Sequence, residues 1–141
     1  MPDALERLLE DFEVLDDWEE RYRHVIELGR GLPPFPEAER TAANKVSGCA
    51  SQVWLHDWAE TGPEGPVLRL QGDSDALIVK GLVAIALMIF DGRKLSEVAA
   101  LDARAIFDRL GLSEHLTPQR ANGLLAMVAR IKADALRLQS A

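Results

Sequence analysis

One side chain in this sequence can act as a strong nucleophile on sulfur: Cys49, its single cysteine. It stands in Asn44-Lys45-Val46-Ser47-Gly48-Cys49-Ala50-Ser51-Gln52. Gly48 and Ala50 flank it, with Ser47 and Ser51 just beyond, so no bulky neighbour obstructs a second protein. That matters for thiol exchange, in which the attacking sulfur must reach the target sulfur with the leaving group behind it. Gly48 also permits a backbone turn that would be strained elsewhere. Cysteine is equally one of the most buried residue types and often serves as a small hydrophobe, so the residue alone leaves both roles open. One thiol excludes an intrachain disulfide, a cysteine-rich zinc site and a cysteine-ligated iron–sulfur cluster.

Few other residues suggest chemistry. His24, His56 and His115 are scattered without metal-ligand spacing. Asp57 follows His56, and strand neighbours face opposite sides, so they make no orienting pair. Nothing in the pattern argues for a hydrolase triad built on Cys49. Gly72-Asp73-Ser74-Asp75 precedes an apolar run as an anion site at a helix start would, but its two aspartates disfavour phosphate. Ordinary capping by Asp73 or Ser74 is the expectation. Arg120 falls in the first turn of the last helix, where a cation opposes the dipole. It is either a functional cation or a solvent-facing arginine.

The elements that must position Cys49 follow from periodicity. Leu5, Leu8, Leu9 and Phe12 lie on one face of a first helix, with Asp3 as N-cap and Glu6 completing a capping box. A second helix starts after Asp16 or Asp17, carries Trp18, Tyr22, Val25 and Ile26, and stops at Gly29 or Gly31. Leu32-Pro33-Pro34-Phe35-Pro36 must be extended. Residues 51–58 alternate as a strand, with Val53 and Leu55 opposite Trp54, His56 and Trp58. Thr61-Gly62-Pro63-Glu64-Gly65-Pro66 is a turn signal, and residues 67–71 return as a second strand. Asn44 to Ser47 can supply a short third strand. From Asp75 to Phe90 the chain is apolar almost all round, which predicts a central buried helix ended by Asp91-Gly92. Short helices follow near residues 96–100 and 103–110. Thr117-Pro118 opens the last helix, as N-cap and first helical residue. The expected class is α+β: a small antiparallel sheet of about three strands covered by helices, in one domain over residues 1–141.

With 16 basic and 23 acidic residues the net charge is −7, a poor match for phosphate backbones or anionic membranes. The acidic N-terminus does not read as a secretory leader. The apolar run from Leu82 to Phe90 is far short of the roughly 20 residues that span a bilayer. A cytoplasmic location is expected, with neither nucleic acid nor membrane as partner.

Several separated blocks together resemble one family. They are Leu28-Gly29 with Leu32-Pro33-Pro34, Asn44-Lys45-Val46, Gly48-Cys49 and Ser51-Gln52-Val53-Trp54. Further on come Gly72-Asp73-Ser74-Asp75, Ile78-Val79-Lys80-Gly81-Leu82 and His115-Leu116-Thr117-Pro118-Gln119-Arg120. In order and approximate spacing, from about residue 20 to near the C-terminus, they are similar to the SufE sulfur-acceptor proteins. The first helix and the hairpin loop at residues 59–66 look individual.

The resemblance implies an α+β fold like that of the iron–sulfur scaffold proteins, with Cys49 as persulfide acceptor. Scaffolds themselves use three cysteines, which disfavours that role here. The implied donor is a pyridoxal-phosphate-dependent cysteine desulfurase of the SufS type, stimulated when its persulfide is cleared. The implied recipient is a SufBCD-like scaffold for cluster assembly. No metal or cofactor need bind this chain, since the pyridoxal phosphate belongs to the partner. Gly48, Ser51, Gln52, Asp73 and Arg120 stand at motif positions as supporting or interface residues. An acceptor for a different desulfurase (CsdE-like), a stand-alone cysteine-dependent enzyme, an adaptor with a structural Cys49, and a homodimer are all left open. An ordinary cysteine has a pKa of about 8.5 and an acidic protein raises it, so a cation from Lys45, Arg120 or the partner is needed to favour the thiolate. A carrier also gains from sheltering Cys49 until a partner docks.

Overall fold

The computed structural model describes residues 2–48 and 51–140. Helices α1 (Pro2–Val14) and α2 (Trp18–Arg30) lead into a single 3₁₀ turn, Glu37–Glu39. Strands β1 (Val53–Gly62) and β2 (Gly65–Ser74) follow, then α3 (Leu77–Phe90). Three short helices, α4 (Leu95–Val98), α5 (Ala103–Arg109) and α6 (Leu112–His115), precede the long α7 (Pro118–Ser140). The α+β expectation is met. Among the described residues, no helix is long and apolar enough to cross a membrane.

Among the described residues the sheet has two strands where about three were expected. Asn44 to Ser47 contributes one bridge, Lys45 to Trp54, because the chain is still turning as far as Asn44, whose N–H bonds the Thr41 carbonyl at 3.2 Å. It turns again at Ser47-Gly48, so too little extended backbone remains for a strand. The hairpin is longer than its turn signal suggested. Thr61 pairs with Pro66 and Gly62 with Gly65, leaving Pro63-Glu64 as the whole connection. Each strand of a two-stranded sheet has an open edge, so a proline without an N–H fits at Pro66.

One face of the hairpin builds the core. Val53 and Leu55 point inward from β1, and Leu68 and Leu70 from β2. They meet α3, where Leu82, Val83, Ile85, Ile89 and Phe90 are at most 1 % exposed. Each such side chain contributes about 1.5–3 kcal/mol on burial. Helix α2 crosses α3 at Gly29 and Gly81, where an added Cβ on Gly81 would stand 2.1 Å from the Val25 carbonyl oxygen. Only glycine allows the backbones that close. Helices α1 and α7 complete the packing on α3, and α7 also reaches β1.

Helix ends depart from expectation in places. Helix α1 already includes Pro2, one residue before the expected N-cap Asp3. Asp17 caps α2 by accepting from Glu19 N–H at 3.1 Å, and Gly31 ends it. Helix α3 begins two residues later than Asp75, with Ala76 rather than Asp73 or Ser74 at its N-cap. Asp73 and Asp75 are drawn away by other donors, and Ser74 Oγ accepts from Ala76 N–H at 3.3 Å. The turn α6 was not anticipated, being too short for a periodic signal. Thr117 caps α7 as expected, accepting from Arg120 N–H at 3.3 Å.

Candidate functional site

The loop between the turn at Thr41–Asn44 and β1 carries the cysteine motif. Its two stems pair: Val46 N–H donates to the Val53 carbonyl and Leu55 N–H to the Asn44 carbonyl, each at 2.9 Å. Downstream, Gln52 is held from both sides by Asp75. Gln52 N–H donates to Asp75 Oδ1 at 3.0 Å, and Asp75 N–H donates to the Gln52 carbonyl at 3.3 Å. At the upstream side, Gly48 has φ +88°, the left-handed region that other residues avoid. A Cβ added there would lie 3.5 Å from Ala126 Cβ of α7. The predicted nucleophile, Cys49, lies outside the described residues together with Ala50.

Ser51 resumes the chain, half-buried at a small cleft between α3 and α7. Val79, Leu82, Leu124 and Met127 give it apolar walls, with Gln119 and Arg120 at its border. Its volume of about 20 Å³ admits one small group and little more. Arg120, mild misfit to the helix dipole that it is, is tied down by donating from Nη1 to Tyr22 Oη at 3.3 Å. His115 stacks on Trp18 at 4.4 Å, joining α6 to α2. Gly48, Ser51, Gln52 and Arg120 are thus brought to one region at the α3–α7 junction.

Asp73 belongs to a neighbouring network. It pairs across the hairpin with Trp54 and accepts from Arg40 Nη2 at 2.6 Å, with Lys80 Nζ at 3.4 Å. Arg40 in turn lies over the rings of Trp54 (5.0 Å) and Phe35 (5.3 Å). Burial alone would raise the Asp73 pKa. The bonds from Arg40 and from Ser74 N–H, with the Lys80 charge, outweigh it and hold the carboxyl below its ordinary value. The histidines are engaged elsewhere: His24 with Asp11 at 3.6 Å, His56 with Gln71 at 3.3 Å and Glu39 at 3.5 Å. A cleft of about 580 Å³ at the hairpin tip, beside Asp91 and Lys94, holds none of the predicted site residues.

This loop-and-helix geometry coincides with a family match. Residues 6–135 fit the model of the SufE family, described as an iron–sulfur metabolism associated domain. The chain belongs to the SufE family. It is 55 % identical over 132 residues to an uncharacterized SufE-like protein of Rhizobium meliloti, covering 94 % of each chain. A second SufE-like protein, from Rhizobium etli, is 54 % identical over 132 residues, covering 94 % of this chain and 89 % of that one. In fold, it is similar to the solution structure of a hypothetical protein from Thermus thermophilus, with a TM-score of 0.77, 24 % identity, and coverage of 97 % and 96 %. Membership places the chain in iron–sulfur metabolism.

Around the SufE loop the structure adds Arg130 and Asp134, and gives Asp57 a partner other than His56. Arg130 of α7 donates from Nε to Asp134 at 3.0 Å and from its two Nη groups to the Lys45 carbonyl (3.3 Å) and the Ala43 carbonyl. Asp134 is 7 % exposed and Asp57, on β1, has a side chain 5 % exposed. Among the described residues, no donor is directed at Asp57 Oδ2. Burial, then the hydrogen bond and charge of Asp134, push the Asp57 carboxyl up to about 8, so the pair holds one proton between them. Both acids had left a trace in the sequence. Asp57 continues the inward-facing series Val53, Leu55, and Asp134 falls on the apolar stripe of α7 beside Ile131 and Ala135. An acid at an inward position is a signal for a buried partner.

Proposed function

We propose that this SufE-family chain is a sulfur carrier in which Cys49 takes persulfide sulfur from a pyridoxal-phosphate-dependent cysteine desulfurase. The Cys49 thiolate attacks the outer sulfur of the donor's cysteine persulfide. A new S–S bond forms on Cys49, the donor's S–S bond breaks, and the donor leaves as thiolate, taking up a proton equivalent to the one Cys49 released. No net oxidation occurs, and thiolate fraction, leaving-group pKa and access set the rate. Clearing the donor in this way makes the chain a stimulator of the desulfurase. The sulfur then passes to a SufBCD-like scaffold. The chain needs no cofactor of its own.

The observation that carries this reading is the position of the sole thiol within a SufE-family chain. It falls between Gly48, which rests near α7, and Ser51, at an apolar cleft of α3 and α7. Such a setting supports a persulfide kept from the reducing thiol pool until a partner binds the open loop better than the closed one. Cys49→Ser tests the assignment. The variant should fold, bind the desulfurase, take up no sulfur and fail to stimulate turnover. Sulfur labelling of the serine variant, or normal stimulation by it, contradicts the proposal.

A further inference from the structure

Successive carbonyls of an extended chain point to opposite sides. In the upstream stem of the Cys49 loop, Asn44 offers its carbonyl and Val46 its N–H to β1. The Lys45 carbonyl therefore faces away from β1, where a third strand would ordinarily supply donors, and the Ala43 carbonyl, in the turn just before, is met by the same guanidinium. No strand is there. Arg130 stands in its place, its guanidinium spanning both carbonyls while Nε is anchored on Asp134. A planar fork with several fixed donors suits this task, as a lysine ammonium does not. Asp134 is buried beside Asp57, while Arg137, with a side chain 65 % exposed, approaches Asp134 at 3.2 Å and Asp57 at 3.8 Å from the solvent side.

We propose that Arg130, seated on Asp134, is a positioning residue that fixes the upstream stem of the Cys49 loop and so sets how Cys49 meets a donor sulfur. The second half of this statement rests on the carrier reading above. The downstream stem is fixed independently by Asp75 on Gln52, so the loop is tethered at both feet, and Arg130 supplies the tether nearest the motif's entry. Arg137 is the natural comparison, since it touches the same acids and donates to no stem carbonyl.

The test uses the full chain with Arg130→Gln, Arg130→Lys and Arg137→Gln. Iodoacetamide alkylation of Cys49 and thermal melting are measured on each, followed by sulfur uptake from a persulfide-loaded desulfurase. Losing a charge-assisted tether shifts a local opening equilibrium by about a decade, so Arg130→Gln should alkylate about tenfold faster while folded. Its sulfur uptake should slow. Arg130→Lys, keeping one of the two stem bonds, should fall between it and the wild type. Arg137→Gln should stay within about twofold of wild type, the range of an ordinary surface substitution. Wild-type alkylation by folded Arg130→Gln overturns the proposal, as does an equal change in Arg137→Gln. If Arg130→Gln does not fold, Arg130→Lys decides in the same way. Alkylation needs no partner, so wild-type protein that takes up no sulfur refutes the carrier reading while leaving the stem result standing.

Discussion

Replacing Gly48 by alanine separates the conformation of the loop from its contacts. At φ +88° an L-residue strains the backbone by roughly 1–2 kcal/mol. The nearest atom to the new methyl is Ala126 Cβ at 3.5 Å, ordinary van der Waals contact, so no clash is added. Alanine also narrows the unfolded ensemble, returning about 0.4–1 kcal/mol. The net loss is then about 1 kcal/mol, a fall in melting temperature of about 3 °C for a chain of this size. Gly92→Ala is the control. Its φ is +83° with nothing near the added Cβ, and it lies at the end of α3, away from the motif. Urea denaturation should show similar losses for both variants, whereas only Gly48→Ala should change the alkylation rate of Cys49. If Gly48→Ala keeps wild-type stability and wild-type reactivity, the loop does not depend on the left-handed residue and this reasoning fails.

Two pH effects follow from the charged networks. Asp57 is pushed up to about 8 in the folded chain, above its unfolded value, so the folded state holds the extra proton and stability falls as pH rises from about 4 to 8. Its slope is at most about 1.4 kcal/mol per pH unit, the limit for one proton, and Asp57→Asn, whose amide can still donate to Asp134, should flatten it in urea titrations from pH 5.5 to 8.5. A wild-type profile in Asp57→Asn would disprove the shared proton. Asp73 behaves oppositely: its pKa is depressed, so its contribution is present above the ordinary carboxylate range and lost on acidification. Arg40→Met should weaken that acid-side loss, and an unchanged acid limb would show that the Arg40–Asp73 bond does not supply it.

Periodicity made the helices and the hairpin legible, because a buried face imposes its period on the residues that fill it. Val53 and Leu55 against Trp54 and His56 announced β1, and the unbroken apolar run announced α3. The third strand was misjudged because pairing depends on where the turns fall. The turn ending at Asn44 and the one at Ser47-Gly48 leave a single bridge. The capping of α3 was misjudged for a related reason. Asp73 and Asp75 look like caps locally, yet Arg40, 33 residues away, and Gln52, 23 residues away, compete for them. The motif named Gly48, Ser51, Gln52, Asp73 and Arg120 without saying how they lie in space; the fold brings Gly48, Ser51 and Arg120 to the α3–α7 junction and sets Asp73 in a separate network with Arg40. The link from Arg130 to the loop was invisible because there its partners are backbone carbonyls, which every residue has, even though its i,i+4 spacing to Asp134 is plain in the sequence.

The most direct test of the carrier account is the intact mass of the protein after incubation with a cysteine desulfurase and free cysteine. The account predicts a gain of one sulfur atom per chain, mapped to Cys49, removed by reductant and absent when the desulfurase is omitted. A protein that stimulates the desulfurase yet gains no sulfur, or gains it at a residue other than Cys49, contradicts the account.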